Sequence, residues 1–86
     1  MFTTPITHPP SKTPRLSPRE RQVLALYALG ETAEAVGTTL GIRPRTVYNA
    51  VGRIREKYAA VGREAAHRVH LYQCALEDGL LPSLRD

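Results

Sequence analysis

The stretch 44–58, PRTVYNAVGRIREKY, constrains the fold more than any other part of the chain. At ~100° per residue, with Arg45 set to zero, Val47, Val51, Ile54 and Tyr58 fall at about 200, 240, 180 and 220°. Apolar anchors confined to a sector of about 60° predict a helix with one core-facing stripe. The opposite sector holds Arg45, Asn49, Gly52 and Glu56, flanked by Tyr48 and Arg53. A face that only keeps a helix soluble tends to alternate Glu and Lys, whereas this one has its acid at the far C-terminal end. One side of the helix must pack on a core; the other is basic, amide-bearing and interrupted by a glycine.

Charge singles out the same stretch. The chain has 86 residues and a net charge of +4. Residues 43–57 alone carry Arg43, Arg45, Arg53, Arg55 and Lys57 against Glu56, a balance of +4, while residues 1–42 sum to +1 and residues 58–86 to −1. A local excess of this kind is the electrostatic footprint of a nucleic-acid contact, although a solvated helix face gives the same count. Eighty-six residues leave room for one core. No apolar run approaches the ~20 residues that would span a bilayer, and no continuous apolar h-region marks a signal peptide. Cys74 is alone and cannot pair within the chain, so a cytoplasmic, non-membrane protein is expected.

The flanking segments read as helices with explicit stops. Residues 1–15 hold Pro5, Pro9, Pro10 and Pro14 and no acid, and predict a disordered tail. Order is expected from Leu16. Ser17-Pro18-Arg19-Glu20 is a capping box with proline at the first helical position, and Gly30 supplies a left-handed stop, so a first helix is expected over about 18–29. Thr32 caps a short second helix over about 33–40, closed by Gly41. After the helix at 44–58, a fourth is expected over about 63–77, with Ala65, Val69, Tyr72 and Leu76 on its packed face and Gly79 as its stop. Leu80, Leu81 and Pro82 close a domain spanning 16–82. The expected fold is all-α: four helices, the second and third joined by a tight turn as a helix-turn-helix. In that motif the second helix lies in the major groove with its N-terminal residues at base edges, which here means Arg45 to Arg53.

LSPRERQVL, then ALG, then AVGTTLGIRPRTVYNAVGRIREKY resembles the DNA-binding domain of the LuxR/NarL/GerE family, whose pattern runs roughly L-[ST]-x-R-E-x-x-V-L, x-A-x-G, E-I-A-x-x-L-x-I-S-x-x-T-V-x-x-H-x-x-x-I-x-x-K-L. Leu16, Ser17, Arg19, Glu20, Val23, Leu24, Leu26, Gly30, Leu40, Ile42, Thr46, Val47, Ile54 and Lys57 stand at matching positions, and the resemblance covers about 16–81. Departures are equally specific. Ala33 and Ala35 replace an Asn and a Glu, Arg43 replaces the Ser before the recognition helix, Ala50 replaces a His, and Gly52 takes a place where relatives often carry Lys or Arg. The resemblance implies a stand-alone transcription factor with no receiver or ligand-binding domain ahead of it, with base readout at Tyr48, Asn49 and Gly52. Gly52 has no side chain, so Tyr48 and Asn49 would read bases with help from Arg45 or Arg53. Asn suits adenine and Arg suits guanine. Thr46, Arg53 and Lys57 fit phosphate contacts, and Arg43 completes the DNA-binding set. The family's fourth helix commonly makes a two-fold contact. If Ala65, Val69, Tyr72 and Leu76 pack inward, Leu71, Ala75 and Leu80 are left for a homodimer partner.

Other functions have less support. His67, His70 and Cys74 share a face of the expected fourth helix, but Arg63 joins them and no fourth ligand is evident, so no metal and no cofactor is expected. No paired carboxylates, Ser/His/Asp set or phosphate-binding glycine loop is present, which argues against an enzyme. Two rivals remain: a module like region 4 of a sigma factor, and a protein-binding adaptor that contacts RNA polymerase or another regulator.

Overall fold

The computed structural model describes residues 13–81, and among these there are four helices and no strand. They are α1 (Pro18–Ala28), α2 (Ala33–Leu40), α3 (Pro44–Ala60) and α4 (Arg68–Glu77). α1 packs against each of the other three, and α2 and α3 pack on each other as the helix-turn-helix.

Local chemistry sets the first three helices as the sequence predicts. Ser17 Oγ accepts from the Glu20 N–H at 3.0 Å, and Glu20 Oε1 accepts in return from the Ser17 N–H at 2.9 Å, closing the capping box. Thr32 Oγ1 accepts from the Ala35 N–H at 3.0 Å to cap α2. The turn between α2 and α3 is tight because of a glycine inside α2. A Cβ at position 37 would stand 2.5 Å from the Ile42 carbonyl oxygen, and the Gly37 carbonyl accepts from the Ile42 N–H at 2.9 Å. Backbone therefore lies on backbone where the two helices meet.

Val23 and Leu24 from α1, Val36 from α2, Val47, Val51, Ile54 and Tyr58 from α3, and Leu71 from α4 form the centre of the core, each almost wholly buried. All four apolar anchors of the basic helix point inward, as their sector requires. α3 runs on to Ala60, slightly past the expected end.

The last helix departs from expectation. It begins at Arg68, not near residue 63. Gly62, at φ 78°, ends α3, and the Arg63 N–H returns to the Tyr58 carbonyl at 2.9 Å. Beyond it the chain is held by tertiary contacts that outbid helix formation. The Arg63 guanidinium reaches Asp78 Oδ1 at 3.0 Å and Oδ2 at 3.1 Å, Ala65 is buried, and the Cys74 thiol donates to the Glu64 carbonyl at 3.6 Å.

The two faces of this helix are also reversed. Leu71, Cys74 and Ala75 are the buried residues and Leu80 is half-buried, while Val69, Tyr72 and Leu76 are exposed. The assignment of Leu71 and Ala75 to a partner surface is therefore corrected: both are spent on the domain's own core. The expected core face had been phased from Ala65, which is buried but lies outside the helix.

Of the tail expected over 1–15, all but 13–15 lies outside the described residues. Within 13–15, Pro14 is buried and Thr13 Oγ1 donates to Asp78 Oδ1 at 3.3 Å, so packing starts before Leu16.

The reversed face gives a direct test. Leu71→Ala should lower the unfolding free energy by about 2–4 kcal/mol, whereas Val69→Ala should change it by about 0.5 kcal/mol or less. Urea denaturation of both variants reads the difference, and a larger loss from Val69→Ala would return Val69 to the core face.

Candidate nucleic-acid interface

α3 carries the candidate interface. Arg43, Arg45, Thr46, Tyr48, Asn49 and Arg53 are exposed along its outer side, and Tyr48 keeps 56% of its surface. Gly52 is half-exposed, and a Cβ built there would meet nothing within 4 Å. The glycine is therefore no packing requirement; it leaves a gap on the outer face.

The start of α3 is chemically open. Arg43 is its N-cap residue and makes no side-chain capping bond, Pro44 supplies no N–H, and the first turn contains no acid. The positive end of the helix dipole is thus flanked by two arginines and has no side-chain acceptor. That is the arrangement an anionic partner meets most favourably.

Further along, the helix is tied to α1 by one carboxylate. Glu20 is only 4% exposed, yet it is held by three donors. Oε1 accepts from the Ser17 N–H at 2.9 Å and from Lys57 Nζ at 2.7 Å, and Oε2 accepts from Arg53 Nε at 3.3 Å. Burial alone would raise the carboxyl pKa; the bonds from Lys57, the Ser17 N–H and Arg53 overcome it and hold the group down at about 2. Sequence reasoning found this residue only as half of a capping box. The available signal was the spacing of Arg53 and Lys57, four apart and so on one face of α3.

A second carboxylate ties the last turns of α3 to α4. Asp78 accepts from Tyr58 Oη at 2.7 Å, from Arg63 and from Thr13, joining the end of α3 to the end of α4. Burial, then the bond to Asp78, pushes the Tyr58 phenol far above its usual range. Arg63 also pairs with Glu77 at 2.9 Å and lies over the Tyr58 ring at 4.9 Å. In the sequence Asp78 is one of several scattered acids, and nothing in its spacing marks this role.

All eight residues expected to contact DNA thus lie on α3 or at its cap. Seven face outward or leave a gap on the outer side, while Lys57 is half-buried and turned toward α1. The candidate metal set does not assemble: His67 caps α4, His67 and His70 meet ring to ring at 5.6 Å, and Cys74 points inward. Among the described residues no group of three or more His, Cys, Asp or Glu could hold a metal ion, and no helix is long and apolar enough to cross a membrane.

The family model described as bacterial regulatory proteins of the luxR family (GerE) matches residues 14–74, which takes in α1, α2, α3 and most of α4. No curated protein and no solved structure gives a significant match.

The clamped carboxylate predicts acid sensitivity of a definite sign. Glu20 has a folded pKa of about 2 against 4.5 for the free group, so its contribution is complete above pH 4.5 and is lost as pH falls toward 2. The full amount is at most about 3 kcal/mol, less what solvent screens at the exposed Arg53 and the half-buried Lys57. Unfolding free energies of the wild type and Glu20→Gln measured across this range should converge as the pH drops; a constant gap would remove the carboxylate from the balance.

Proposed function

This chain belongs to the luxR family of bacterial regulatory proteins, a family of DNA-binding transcription regulators, and on that premise we propose that it is a sequence-specific regulator that inserts α3 into the major groove. The observation that carries the reading is the outer face of α3. Tyr48 and Asn49 stand exposed in its first half, Arg43 and Arg45 flank an uncapped helix start, and Arg53 lies beyond a glycine gap. Asn49 offers both a donor and an acceptor to an adenine edge, and Arg45 offers a fork to guanine. Tyr48 meets a thymine methyl or a sugar with its ring. Thr46 and Arg53 hold phosphates and set register. No step in this function is catalytic, and no cofactor enters it.

Target choice also needs a partner copy. Val69, Tyr72 and Leu76 recur at helical spacing on the solvent side of α4, and their exposures are 61, 39 and 57%. An apolar stripe on so small a domain suits a second copy related by a two-fold axis, which would set two α3 helices about 34 Å apart on successive half-sites. The proposed contact therefore uses the face opposite Leu71 and Ala75.

A fluorescence-anisotropy titration tests the reading, comparing a duplex selected by the protein from random sequence with a scrambled control. Asn49→Ala should cost about 1–3 kcal/mol on the selected duplex and far less on the control. Equal losses on both would deny Asn49 a base-reading role, and no binding to either duplex at low salt would favour the protein-binding adaptor. For the dimer, Leu76→Asp should abolish self-association in sedimentation while leaving the fold intact. A wild type that stays monomeric on a two-half-site duplex would overturn it.

A further inference from the structure

We propose that Glu20 is the positioning residue of the DNA contact. It presents Arg53 to a phosphate while keeping Lys57 back as a structural tie. The inference rests on the DNA-binding reading and goes beyond it, because it assigns unlike roles to two cations that spacing alone makes equivalent.

The geometry separates them. Glu20 is held independently of either cation, since its Oε1 accepts from the Ser17 N–H of the same helix cap. Lys57 is a point charge, and its Nζ lies 2.7 Å from this buried oxygen. A lysine so placed has its attraction satisfied inside the protein. Arg53 meets the carboxylate differently. It donates through Nε at 3.3 Å, and its side chain remains 56% exposed. Neither Nη group of Arg53 has a protein partner among the described residues. A guanidinium anchored at Nε keeps its outer pair of donors free in a fixed plane, which is the edge that meets a phosphate. Glu20 thereby removes in advance much of the side-chain freedom that Arg53 would lose on binding.

The test is a double-mutant cycle on the full chain, read as affinity and salt slope on the selected duplex. Arg53→Ala should reduce the salt slope by about one, and Lys57→Met should leave it unchanged. Glu20→Gln keeps an oxygen at the Oε1 place for the Ser17 N–H and Lys57 but turns an amide donor toward Arg53. It should weaken binding about 3- to 10-fold in the wild type. In the Arg53→Ala background the same change only removes a negative charge, and it should not weaken binding at all. Circular dichroism at pH 7 confirms that each variant is folded at the assay temperature.

Equal weakening by Glu20→Gln in both backgrounds would make Glu20 a general support of α3 and overturn the proposal. So would a slope that falls by about one on Lys57→Met, or one that stays constant on Arg53→Ala. In each of those cases salt-dependent binding by the wild type leaves the DNA reading standing. A wild type that binds neither duplex removes that reading, and the positioning role with it.

Discussion

The Glu20 carboxylate is the joint on which the orientation of α3 depends. Apolar packing of Val47, Val51 and Ile54 holds the helix against the core, but hydrophobic burial is non-directional and tolerates sliding and rotation. A buried carboxylate with one donor from its own helix cap and two from α3 is directional. Removing either cation leaves charge under-compensated in a site that is almost closed to water, so the ties support each other. The cap that starts α1 is thus also the fitting that fixes the angle of α3. A single Glu serves both because Oε1 accepts from the Ser17 N–H and from Lys57 together, while Oε2 accepts from Arg53.

Asp78 plays a corresponding part where α3 meets α4. Through Tyr58, Arg63 and Thr13 it brings the end of α3, the following loop and the segment before α1 onto the end of α4. These bonds explain why residues 63–67 are not helical, although Arg63, Glu64, Ala65 and Ala66 favour helix as isolated residues. Winding them into α4 would pull Arg63 away from Asp78 and Ala65 out of the core. Local propensity is worth a few tenths of a kcal/mol per residue, and a nearly buried ion pair, with Arg63 Nη1 bonded to both Asp78 oxygens, outweighs it.

What could be read in advance divides along this line. Features encoded within one turn of helix were legible: the Ser17 box, the Thr32 cap, the stops at Gly30 and Gly41, and the inward stripe of α3. The outer face of α3 followed from the same periodicity. Features that depend on two distant segments were not. The roles of Glu20 and Asp78 come from contacts across 15 to 65 positions, and no spacing rule reaches so far. The phasing of α4 failed for a related reason: Ala65 was counted on a helix it does not belong to, and starting the periodicity there chose the wrong face. Nothing in the spacing around Gly37 marks its role. The closeness of the α2–α3 turn, which leaves no room for a Cβ, emerges from the packed backbone.

Fixing the C-terminal half of α3 also accounts for a glycine in its middle. Gly52 costs about 1 kcal/mol of helix propensity relative to Ala, a weakness that would matter in a helix stabilised only by its own hydrogen bonds. Here Glu20 holds the adjacent turns through Arg53 and Lys57, Asp78 holds Tyr58, and the buried residues on either side of Gly52 lock the backbone in place. The cost is absorbed and the surface gains an opening. Side chains on a helix lean toward its N-terminus and cover the turn before their own Cα. A long side chain at 52 would therefore lie over Tyr48 and Asn49. Its absence leaves Tyr48 more than half exposed and open space at position 52. On the proposed reading, the basic side chain that relatives often place at 52 is traded for access to the two residues that precede it. Arg53, oriented from below by Glu20, supplies the charge one position further on.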